Sequence, residues 1–368
     1  MSNILILSAS TGGGHNAAAK SLKKIFEKKN YDVEIVDALK IIDKKFNFLI
    51  NGTYMAMADN FPFTYDFLYK TTNTNKSSKL ILKSLSAISR DKIKEIVFKN
   101  NPKLIIATHP FAIPFIAKIK SNNQVNTPFI SVVTDLIAHK LYFCEYVDAY
   151  IVASEYTKRK MIEGNIDADK IYPYGIPVRE QFFNGNKNLE NDGYFNILLM
   201  GGSLGSKQII TVIEVLEKII PDNNIKIRAI CGKNQKLFKN ISYKFENLIK
   251  KGNLEVLGFV ENVDYLMDKS HIFISKPGGL SSTEAILKNL PMVIPFLLPG
   301  QERENMEVLT YNDMAIFVKD IEKLPKTILK LIDRPRLLEY MKSNMQETAE
   351  KYSLEKIGEL GEHFIKGV

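Results

Sequence analysis

Residues 4–19 of this 368-residue chain read ILILSASTGGGHNAAA, and the order of residue types in this stretch predicts the first structural unit. The apolar run 4–7 is short and uninterrupted, which is typical of a strand buried on both faces. Three glycines at 12–14 allow a sharp turn and the close approach of a ligand to the backbone. The residues from about Asn16 to Asn30 have helical spacing, and the free N–H groups of that helix would point at the same turn. A strand, a glycine turn and a helix in this order predict a ligand-binding crevice.

The same order of elements recurs in the second half of the chain. A strand over Asn196–Met200 leads into the glycine turn GGSLGS at 201–206 and then into a helix over Lys207–Ile219. Strands that alternate with helices predict an α/β fold with parallel sheets, and two such blocks predict two Rossmann-like domains. The other predicted strands are Val33–Val36, Leu104–Thr108, Phe129–Thr134, Ala149–Ala153, Ile225–Cys231, Leu254–Leu257, Ile272–Ser275 and Met292–Pro295.

The boundary between the domains is expected within Phe183–Tyr194. Asparagine, glycine and lysine dominate this segment, and no apolar periodicity continues through it. We therefore expect one domain over residues 1–185 and a second over 186–368, with the last helix able to pack back on the first domain.

The overall composition is that of a soluble globular protein. Hydrophobic residues make up 45% of the chain and charged residues 25%, which excludes a largely disordered chain. The two cysteines, Cys144 and Cys231, provide neither a disulfide framework nor a metal-ligand spacing. No apolar run reaches the roughly 18 residues of a membrane-spanning helix, and the first residues lack the features of a signal peptide. These observations predict a cytoplasmic location.

The net charge of +9 is distributed unevenly. Residues 1–185 carry 25 basic and 17 acidic side chains, a net charge of +8, whereas residues 186–368 carry 25 and 24, a net charge of +1. The first half is therefore expected to meet an anionic partner, which could be a nucleic acid, a membrane surface or a phosphorylated substrate. Nucleic acid is disfavoured because the lysines are not interleaved with aromatic residues in a recognisable module.

Residues 40–100 interrupt the alternation of strands and helices. Aromatic residues crowd 46–69, and apolar residues of 76–99 follow helical spacing with lysines on the other faces. A basic amphipathic helix beside an aromatic cluster is typical of an interfacial membrane anchor, although an ordinary surface helix has the same pattern. The pattern alone favours the surface helix; the candidate contacts, if the region meets a membrane or a lipid acceptor, are Phe46, Phe48, Phe61, Phe63, Lys79, Lys83 and Arg90.

His15 follows the three glycines directly and is the first candidate for chemistry. The loop is neither GxGxxG nor a Walker loop, which disfavours a nicotinamide dinucleotide and P-loop hydrolysis. A histidine at a helix start in the crevice of a doubly wound sheet can act as a general base near neutral pH. The alternative is that His15 only caps the helix.

Three further turns contain residues suited to a nucleotide sugar. GGSLGS offers small residues, hydroxyls and a helix N-terminus for a diphosphate, and Glu284, which follows KPGG at 276–279, could accept hydrogen bonds from a ribose diol. After PGQE at 299–302, Gln301, Glu302 and Asn305 could bind sugar hydroxyls. Each turn also has a purely structural explanation, since glycines shorten strand–helix connections and Glu284 favours the helix dipole.

Taken in order, the motifs resemble those of a known family. GGGHNAA at 12–18, TDLIAH at 134–139, VASE at 152–155, GIPVR at 175–179, GGSLGS, KPGG and PGQE together are similar to the diacylglycerol glycosyltransferases, the processive bacterial glucosyltransferases and plant monogalactosyldiacylglycerol synthases. The resemblance to the peptidoglycan enzyme that adds N-acetylglucosamine to lipid I is more distant. The resemblance implies a GT-B fold, with two Rossmann-like domains that face each other across a cleft.

The resemblance also implies roles for individual residues. His15 would deprotonate the glycerol hydroxyl, with Asp135 as its orienting partner or as a second candidate base. No metal or cofactor is implied, because the only DxD sequence, at 167–169, is predicted to lie in a structural turn. The residues implied in donor binding are Gly13, Gly14, Gly202, Ser203, Gly258, Phe259, Val260, Gly278, Gly279, Glu284, Gln301, Glu302 and Asn305.

The implied reaction is inverting transfer of a hexose from UDP-glucose or UDP-galactose to the 3-hydroxyl of 1,2-diacylglycerol. It would take place on the inner face of the cell membrane, with the enzyme bound peripherally to an anionic surface. The alternatives are transfer of N-acetylglucosamine to a polyprenyl-linked peptidoglycan precursor, and a non-catalytic protein that binds a nucleotide sugar or nucleic acid. One departure concerns the acceptor pocket: residues 140–147 read KLYFCEYV where the family pattern has a tryptophan and a histidine–proline pair.

Overall fold

The computed structural model of the protein describes residues 3–9, 13–38, 73, 90–184, 192–202, 206–298 and 300–367. Within these ranges, twelve strands form two parallel sheets of six strands each. Helices connect most successive strands, so the predicted α/β fold with two parallel sheets is confirmed. None of the helices in these ranges is both long and apolar enough to cross a membrane.

The first sheet has the strand order β2-β1-β3-β4-β5-β6. Its elements, in chain order, are β1 (Ile4–Ser8), α1 (Gly13–Lys28), β2 (Val33–Asp37), α2 (Arg90–Asn100), β3 (Leu104–Ala107), α3 (Ile113–Ser121), β4 (Phe129–Val132), β5 (Ala149–Ile151), α4 (Glu155–Glu163) and β6 (Ile171–Tyr172). Short 3₁₀ helices cover Pro110–Ala112, Lys140–Tyr142, Ala168–Lys170 and Glu180–Phe182.

Strand β1 shows why the apolar runs of this sheet are continuous. All five of its residues are buried, because helices cover both faces of the sheet. Ile4 and Ile6 pack with residues of α1, whereas Leu5 and Leu7 pack with residues of α2 and α3. A strand with a solvent-exposed face would instead have alternated apolar and polar residues.

The second sheet has the order β12-β11-β10-β7-β8-β9, which is the doubly wound order of a Rossmann fold. Its elements are β7 (Phe195–Met200), α5 (Ser206–Glu217), β8 (Ile225–Ile230), α6 (Gln235–Lys244), α7 (Glu246–Lys250), β9 (Leu254–Leu257), α8 (Val263–Asp268), β10 (Ile272–Ser275), α9 (Gly279–Leu287), β11 (Met292–Ile294), α10 (Gln301–Tyr311), β12 (Ala315–Phe317), a 3₁₀ helix (Ile321–Lys323), α11 (Leu324–Asp333) and α12 (Pro335–Ala349).

The chain divides into two compact units, which we call unit 1 and unit 2. Unit 1 is discontinuous: it contains the described residues up to Glu180, those of 300–304 and those from Glu350 onward. The other described residues form unit 2. Glu180 lies a few residues before the boundary expected from composition.

The last helix, α13 (Leu354–Lys366), packs against α1 in unit 1. Two glycines on one face of α13 allow this approach: a Cβ at Gly361 would lie 2.4 Å from a ring carbon of Phe26, and one at Gly358 would lie 2.6 Å from Cε of Lys29. The ammonium of Lys29 also forms a 2.7 Å ion pair with Glu362. The carboxyl end of the chain therefore belongs to the core of unit 1.

Candidate active site

Each sheet has a switch point, where neighbouring strands send their connections in opposite directions. In unit 1 the switch lies between β1 and β3, and in unit 2 it lies between β7 and β10. Ligands of doubly wound sheets bind beyond the carboxyl ends of the strands at such points. Both glycine turns singled out in the sequence follow a switch-point strand, namely β1 in one unit and β7 in the other.

The switch point of unit 1 holds His15, the third residue of α1, in a fixed orientation. Its Nδ1 lies 2.8 Å from the carbonyl oxygen of Thr108 and 2.8 Å from Oγ1 of Thr134. A carbonyl oxygen can only accept a hydrogen bond, so Nδ1 carries the hydrogen and donates it. The neutral imidazole therefore has its lone pair on Nε2, which makes Nε2 the atom able to accept a proton.

The surroundings of His15 favour the neutral form of the ring. Burial lowers the pKa of His15, while the negative charge of Asp135 and the bond to the Thr108 carbonyl raise it; the net direction is downward. The positive end of the α1 dipole acts in the same direction as burial. Near neutral pH the ring is thus unprotonated, which is the state that a general base requires. Asp135, which follows β4, is close enough to interact electrostatically with this ring.

A second histidine, His109, packs against the first. The ring centroids of His15 and His109 are 4.3 Å apart in an edge-to-face arrangement. His109 is buried, and its Nδ1 accepts a 3.1 Å hydrogen bond from the backbone N–H of Phe111, which caps the short helix at 110–112. Burial and then the neighbouring His15 hold the pKa of His109 well below its ordinary value. His109 is therefore a neutral residue that forms one wall of the His15 site.

In unit 2 the switch point brings two glycine turns side by side. Met200 and Ser275, the last residues of β7 and β10, are paired, and the Ser275 hydroxyl donates a 2.8 Å bond to the Met200 carbonyl. Gly202 has a φ of +66°, and a Cβ there would lie 2.7 Å from Cε and 3.9 Å from Nζ of Lys276. The positive φ favours glycine at 202, and the Lys276 side chain lies directly beside the backbone of this turn.

A side chain of the neighbouring helix α10 stabilises the turn after β10. Gly278, in extended conformation, is the N-cap of α9, and Gly279 is its buried first residue. Asn305 is fully buried, and its side-chain amide donates a 3.0 Å hydrogen bond to the Pro277 carbonyl. Asn305 thus contributes to the shape of the turn, whatever else it contacts. Glu284, farther along α9, is half-buried.

The remaining residues of the predicted donor site also follow strand ends. Gly258, Phe259 and Val260 follow β9; the Phe259 ring is 63% exposed, with the ammonium of Lys233 5.3 Å from its centroid. Gln301 and Glu302 are half-buried in the first turn of α10, after β11. Gly258, Phe259 and Val260 belong to unit 2, whereas Gln301 and Glu302 lie in the short segment that groups with unit 1.

Other predicted residues lie in other elements of the chain. Gly13 and Gly14 open α1 in unit 1, far along the chain from the other donor residues, and a Cβ at Gly13 would meet open space. Asp167 and Asp169 are exposed around the 3₁₀ helix Ala168–Lys170. Arg90 is the first residue of α2. The predicted residues that lie outside the described ranges are Phe46, Phe48, Phe61, Phe63, Lys79, Lys83 and Ser203.

Sequence reasoning did not single out Lys276, whose side chain lies beside the Gly202 backbone, and it missed Thr108 and Thr134 as partners of His15. Lys276 was recognisable in principle, because it is the cation in the KPGG turn that follows a strand. The threonines carry no local signal, since 93 and 119 residues separate their bonding atoms from His15 along the chain.

The described residues provide two sets of functional groups, one in each unit. Unit 1 offers a neutral, fixed imidazole beside a carboxylate, which suits removal of a proton from a hydroxyl. Unit 2 offers glycine turns at helix starts and the Lys276 ammonium, which suit an anionic phosphate group. A base for one substrate and an anion site for another fit group transfer from a phosphorylated donor.

Two family models match the chain, one in each half. Residues 15–178 match the monogalactosyldiacylglycerol (MGDG) synthase model, and residues 196–357 match the glycosyltransferase family 28 C-terminal domain. The first match begins at His15, and the second contains both turns of the unit 2 switch point.

Curated relatives match over nearly the whole chain. The processive diacylglycerol beta-glucosyltransferase of Bacillus pumilus is 27% identical, covering 96% of this chain and 93% of its own length. The enzyme of the same name from Bacillus subtilis is 28% identical, covering 94% and 90%.

Solved structures share the fold at low sequence identity. Acinetobacter baumannii MurG has a TM-score of 0.64 at 15% identity, covering 98% of this chain and 99% of that one. The glycotransferase of kitacinnamycin has a TM-score of 0.64 at 12% identity, covering 99% of each chain.

The fold and the site together define a glycosyltransferase of the GT-B class. Within that class, the chain belongs to the diacylglycerol glycosyltransferase family, in glycosyltransferase family 28.

Proposed function

We propose that this protein transfers a hexose from UDP-glucose or UDP-galactose to the 3-hydroxyl of 1,2-diacylglycerol, with inversion at the anomeric carbon. The single observation that carries the proposal is the His15 imidazole, held by Nδ1 so that Nε2 is the proton acceptor at the switch point of unit 1. The names of the relatives support a diacylglycerol acceptor and a glucosyl donor.

The proposed reaction is a single displacement. Nε2 of His15 takes the proton of the glycerol hydroxyl while its oxygen attacks C1 of the hexose. The bond from C1 to the phosphate oxygen breaks, and its electron pair leaves with UDP. Because the attack comes opposite the departing phosphate, the α-linked hexose becomes β-linked. The carboxylate of Asp135 stabilises the imidazolium that forms, since its charge already raises the pKa of His15.

The departing UDP requires positive charge, and unit 2 supplies it from its own chain. We assign the diphosphate to Gly202 and Ser203, with two further binding groups: the Lys276 side chain, which lies beside the Gly202 backbone, and the start of α9. These groups let the reaction proceed without a metal ion or other cofactor, so we expect the rate to be unchanged by a chelator.

The rest of the donor is assigned to residues that follow strands β9, β10 and β11. Uracil would meet the backbone around Phe259 after β9, ribose would bind Glu284, and the hexose would bind Gln301 and Glu302. The turns after β9 and β7, which are assigned to uracil and to the diphosphate, are two strand spacings apart, which is about 10 Å. This separation suits an extended nucleotide, with the base at one end and the diphosphate at the other.

The acceptor is assigned to unit 1. Its half of the sequence carries nearly all of the net positive charge, and α2 exposes Phe98 with the ammonium of Lys94 5.5 Å from the ring centroid. Cationic and aromatic groups together favour an anionic membrane surface. We propose peripheral attachment to the inner face of the cell membrane, with Phe46, Phe48, Phe61, Phe63, Lys79, Lys83 and Arg90 contributing.

The test is a donor–acceptor matrix with the purified full chain. UDP-glucose and UDP-galactose, each labelled in the sugar, are incubated with vesicles of phosphatidylglycerol that contain diacylglycerol. Labelled UDP-N-acetylglucosamine with lipid I forms the competing arm. We expect labelled glycolipid from diacylglycerol and none from lipid I, with and without chelator. Labelling of lipid I alone would overturn the proposal.

A further inference from the structure

A buried hydroxyl pair lies behind His15. The Thr134 side chain, which bonds Nδ1 of His15, also has its Oγ1 3.3 Å from the phenolic oxygen of Tyr142. Thr134 is 4% exposed and Tyr142 is 1% exposed, so bulk water does not compete for these groups. Tyr142 belongs to the segment 140–147, where the chain departs from the tryptophan of the family pattern.

The direction of the two hydrogen bonds at Nδ1 follows from the Thr108 carbonyl. Because Nδ1 of His15 must donate, Thr134 Oγ1 accepts from it rather than donating to it. The oxygen of Thr134 has a second lone pair and its own hydroxyl hydrogen, so it can accept from or donate to the Tyr142 hydroxyl, and at 3.3 Å this bond is weak.

We propose that Thr134 and, through it, Tyr142 are positioning residues for His15: together with the Thr108 carbonyl, which sets the tautomer, they fix the orientation of the ring so that Nε2 faces the acceptor hydroxyl. The inference rests on the proposed role of His15 as base. Thr108 follows β3 and Thr134 follows β4, so the two partners hold Nδ1 from two adjacent strands. Without Thr134, one hydrogen bond rather than two would set the direction of Nε2, and the ring would have only the His109 contact beside it.

The Thr134 hydroxyl should also affect the pKa of His15, which gives a second measurable effect. The groups that face His15 are the Asp135 carboxylate and the neutral His109 ring; the Tyr142 hydroxyl lies behind Thr134. An acceptor at Nδ1–H stabilises the imidazolium more than the neutral ring, because a charged donor makes the stronger bond. Removal of the Thr134 hydroxyl should therefore lower the pKa of His15 further.

The kinetic test compares four variants of the full chain. Thr134→Val removes the acceptor at nearly constant volume, and we expect kcat to fall about tenfold while the KM for the UDP-sugar is unchanged. Tyr142→Phe should lower kcat about threefold, because it acts through the weaker bond. Thr134→Ser retains the hydroxyl and should restore most of the activity.

Tyr150→Phe is the matched control. This buried tyrosine exchanges hydrogen bonds of 2.9 and 2.8 Å with the backbone of Cys144 and makes no contact with His15 within the described residues. Its loss should lower the melting temperature without changing kcat of the folded enzyme. If Thr134→Val behaves like Tyr150→Phe, with lower stability but normal kcat, the positioning role is refuted.

Nitrogen NMR of the imidazoles tests the same inference without catalysis, which separates its failure from failure of the proposed reaction. The chain has only five histidines, so His15→Gln identifies the His15 signals by their disappearance. The wild type should show a hydrogen on Nδ1 of His15, and Thr134→Val should lower its midpoint of titration by about half a pH unit. A hydrogen on Nε2 at neutral pH, or an unchanged midpoint in Thr134→Val, would overturn the proposal.

Discussion

Replacement of His15 by alanine removes the proton acceptor and leaves the donor site intact. General bases contribute about 10²–10⁴-fold to rates. Two partners at 2.8 Å hold the His15 ring, and a fixed base has no reorientation to make before it accepts the proton. We therefore expect kcat of His15→Ala to fall about 10³-fold, equivalent to about 4 kcal/mol of transition-state stabilisation.

The assay measures turnover and donor binding separately. Initial rates of glycolipid synthesis give kcat, and calorimetric titration with UDP gives the affinity of the donor site. The glycine turns at Gly202 and Lys276 belong to unit 2. The dissociation constant of His15→Ala for UDP should therefore differ from that of the wild type by less than about twofold. His363, an exposed histidine on α13, is the matched control, and His363→Ala should retain wild-type kcat.

The direction of the pKa shift of His15 predicts how the rate depends on pH. Because the folded pKa of His15 lies below its ordinary value of 6.5, the base is already deprotonated at pH 7. The rate should therefore be nearly constant above pH 7 and fall as the pH drops through a midpoint below 6.5. An acid limb centred above 6.5, a fully active His15→Ala, or a parallel loss of UDP binding would each refute the assignment.

Three other predictions concern the last helix, the donor turn and the membrane. Gly361→Ala should lower the free energy of unfolding by about 1–3 kcal/mol, measured by urea denaturation, because its methyl group would overlap a buried aromatic ring; an unchanged midpoint would contradict the close packing of α13. Lys276→Ala should weaken UDP binding about tenfold to a hundredfold in calorimetry, with Lys276→Arg partly restoring it; wild-type affinity would exclude the ammonium from the site. Neutralising Lys92, Lys94 and Lys99 on α2 should weaken binding to phosphatidylglycerol vesicles by about 1 kcal/mol per lysine in sedimentation assays; unchanged partitioning would show that α2 faces away from the membrane.

The strands were predictable from the sequence where packing imposes a strong local pattern. Apolar runs such as Ile4–Leu7 mark strands covered on both faces, and the structure extends this one only to Ser8. The apolar pattern did not reveal the edge strands β6 and β12, because each is only partly buried, whereas the equally short strands β5 and β11 are fully buried apolar runs. Strand β4 ends at Val132, two residues earlier than the apolar run suggested; Val133 and Thr134 remain buried, and the Val133 N–H still donates to the Ile151 carbonyl of β5.

The residues of the candidate site, like the strands, were only partly predictable from the sequence. His15 was recognisable because three glycines precede it and mark the end of a strand. Its partners Thr108 and Thr134 were not, since they reach it only after β1, β3 and β4 assemble side by side. Asn305 illustrates the opposite case: its spacing from Gln301 suggested a sugar contact, whereas the position of its amide against the Pro277 carbonyl became evident only from the folded chain.

The most direct test of the central claim is the structure of the lipid product. Glycolipid made from UDP-glucose or UDP-galactose and diacylglycerol vesicles is purified, and proton NMR determines its anomeric configuration and the glycerol position that carries the sugar. Single displacement with His15 on the acceptor hydroxyl predicts a β-linked hexose on the 3-position of the glycerol. An α-linked product would contradict it, and so would a sugar on any acceptor other than diacylglycerol.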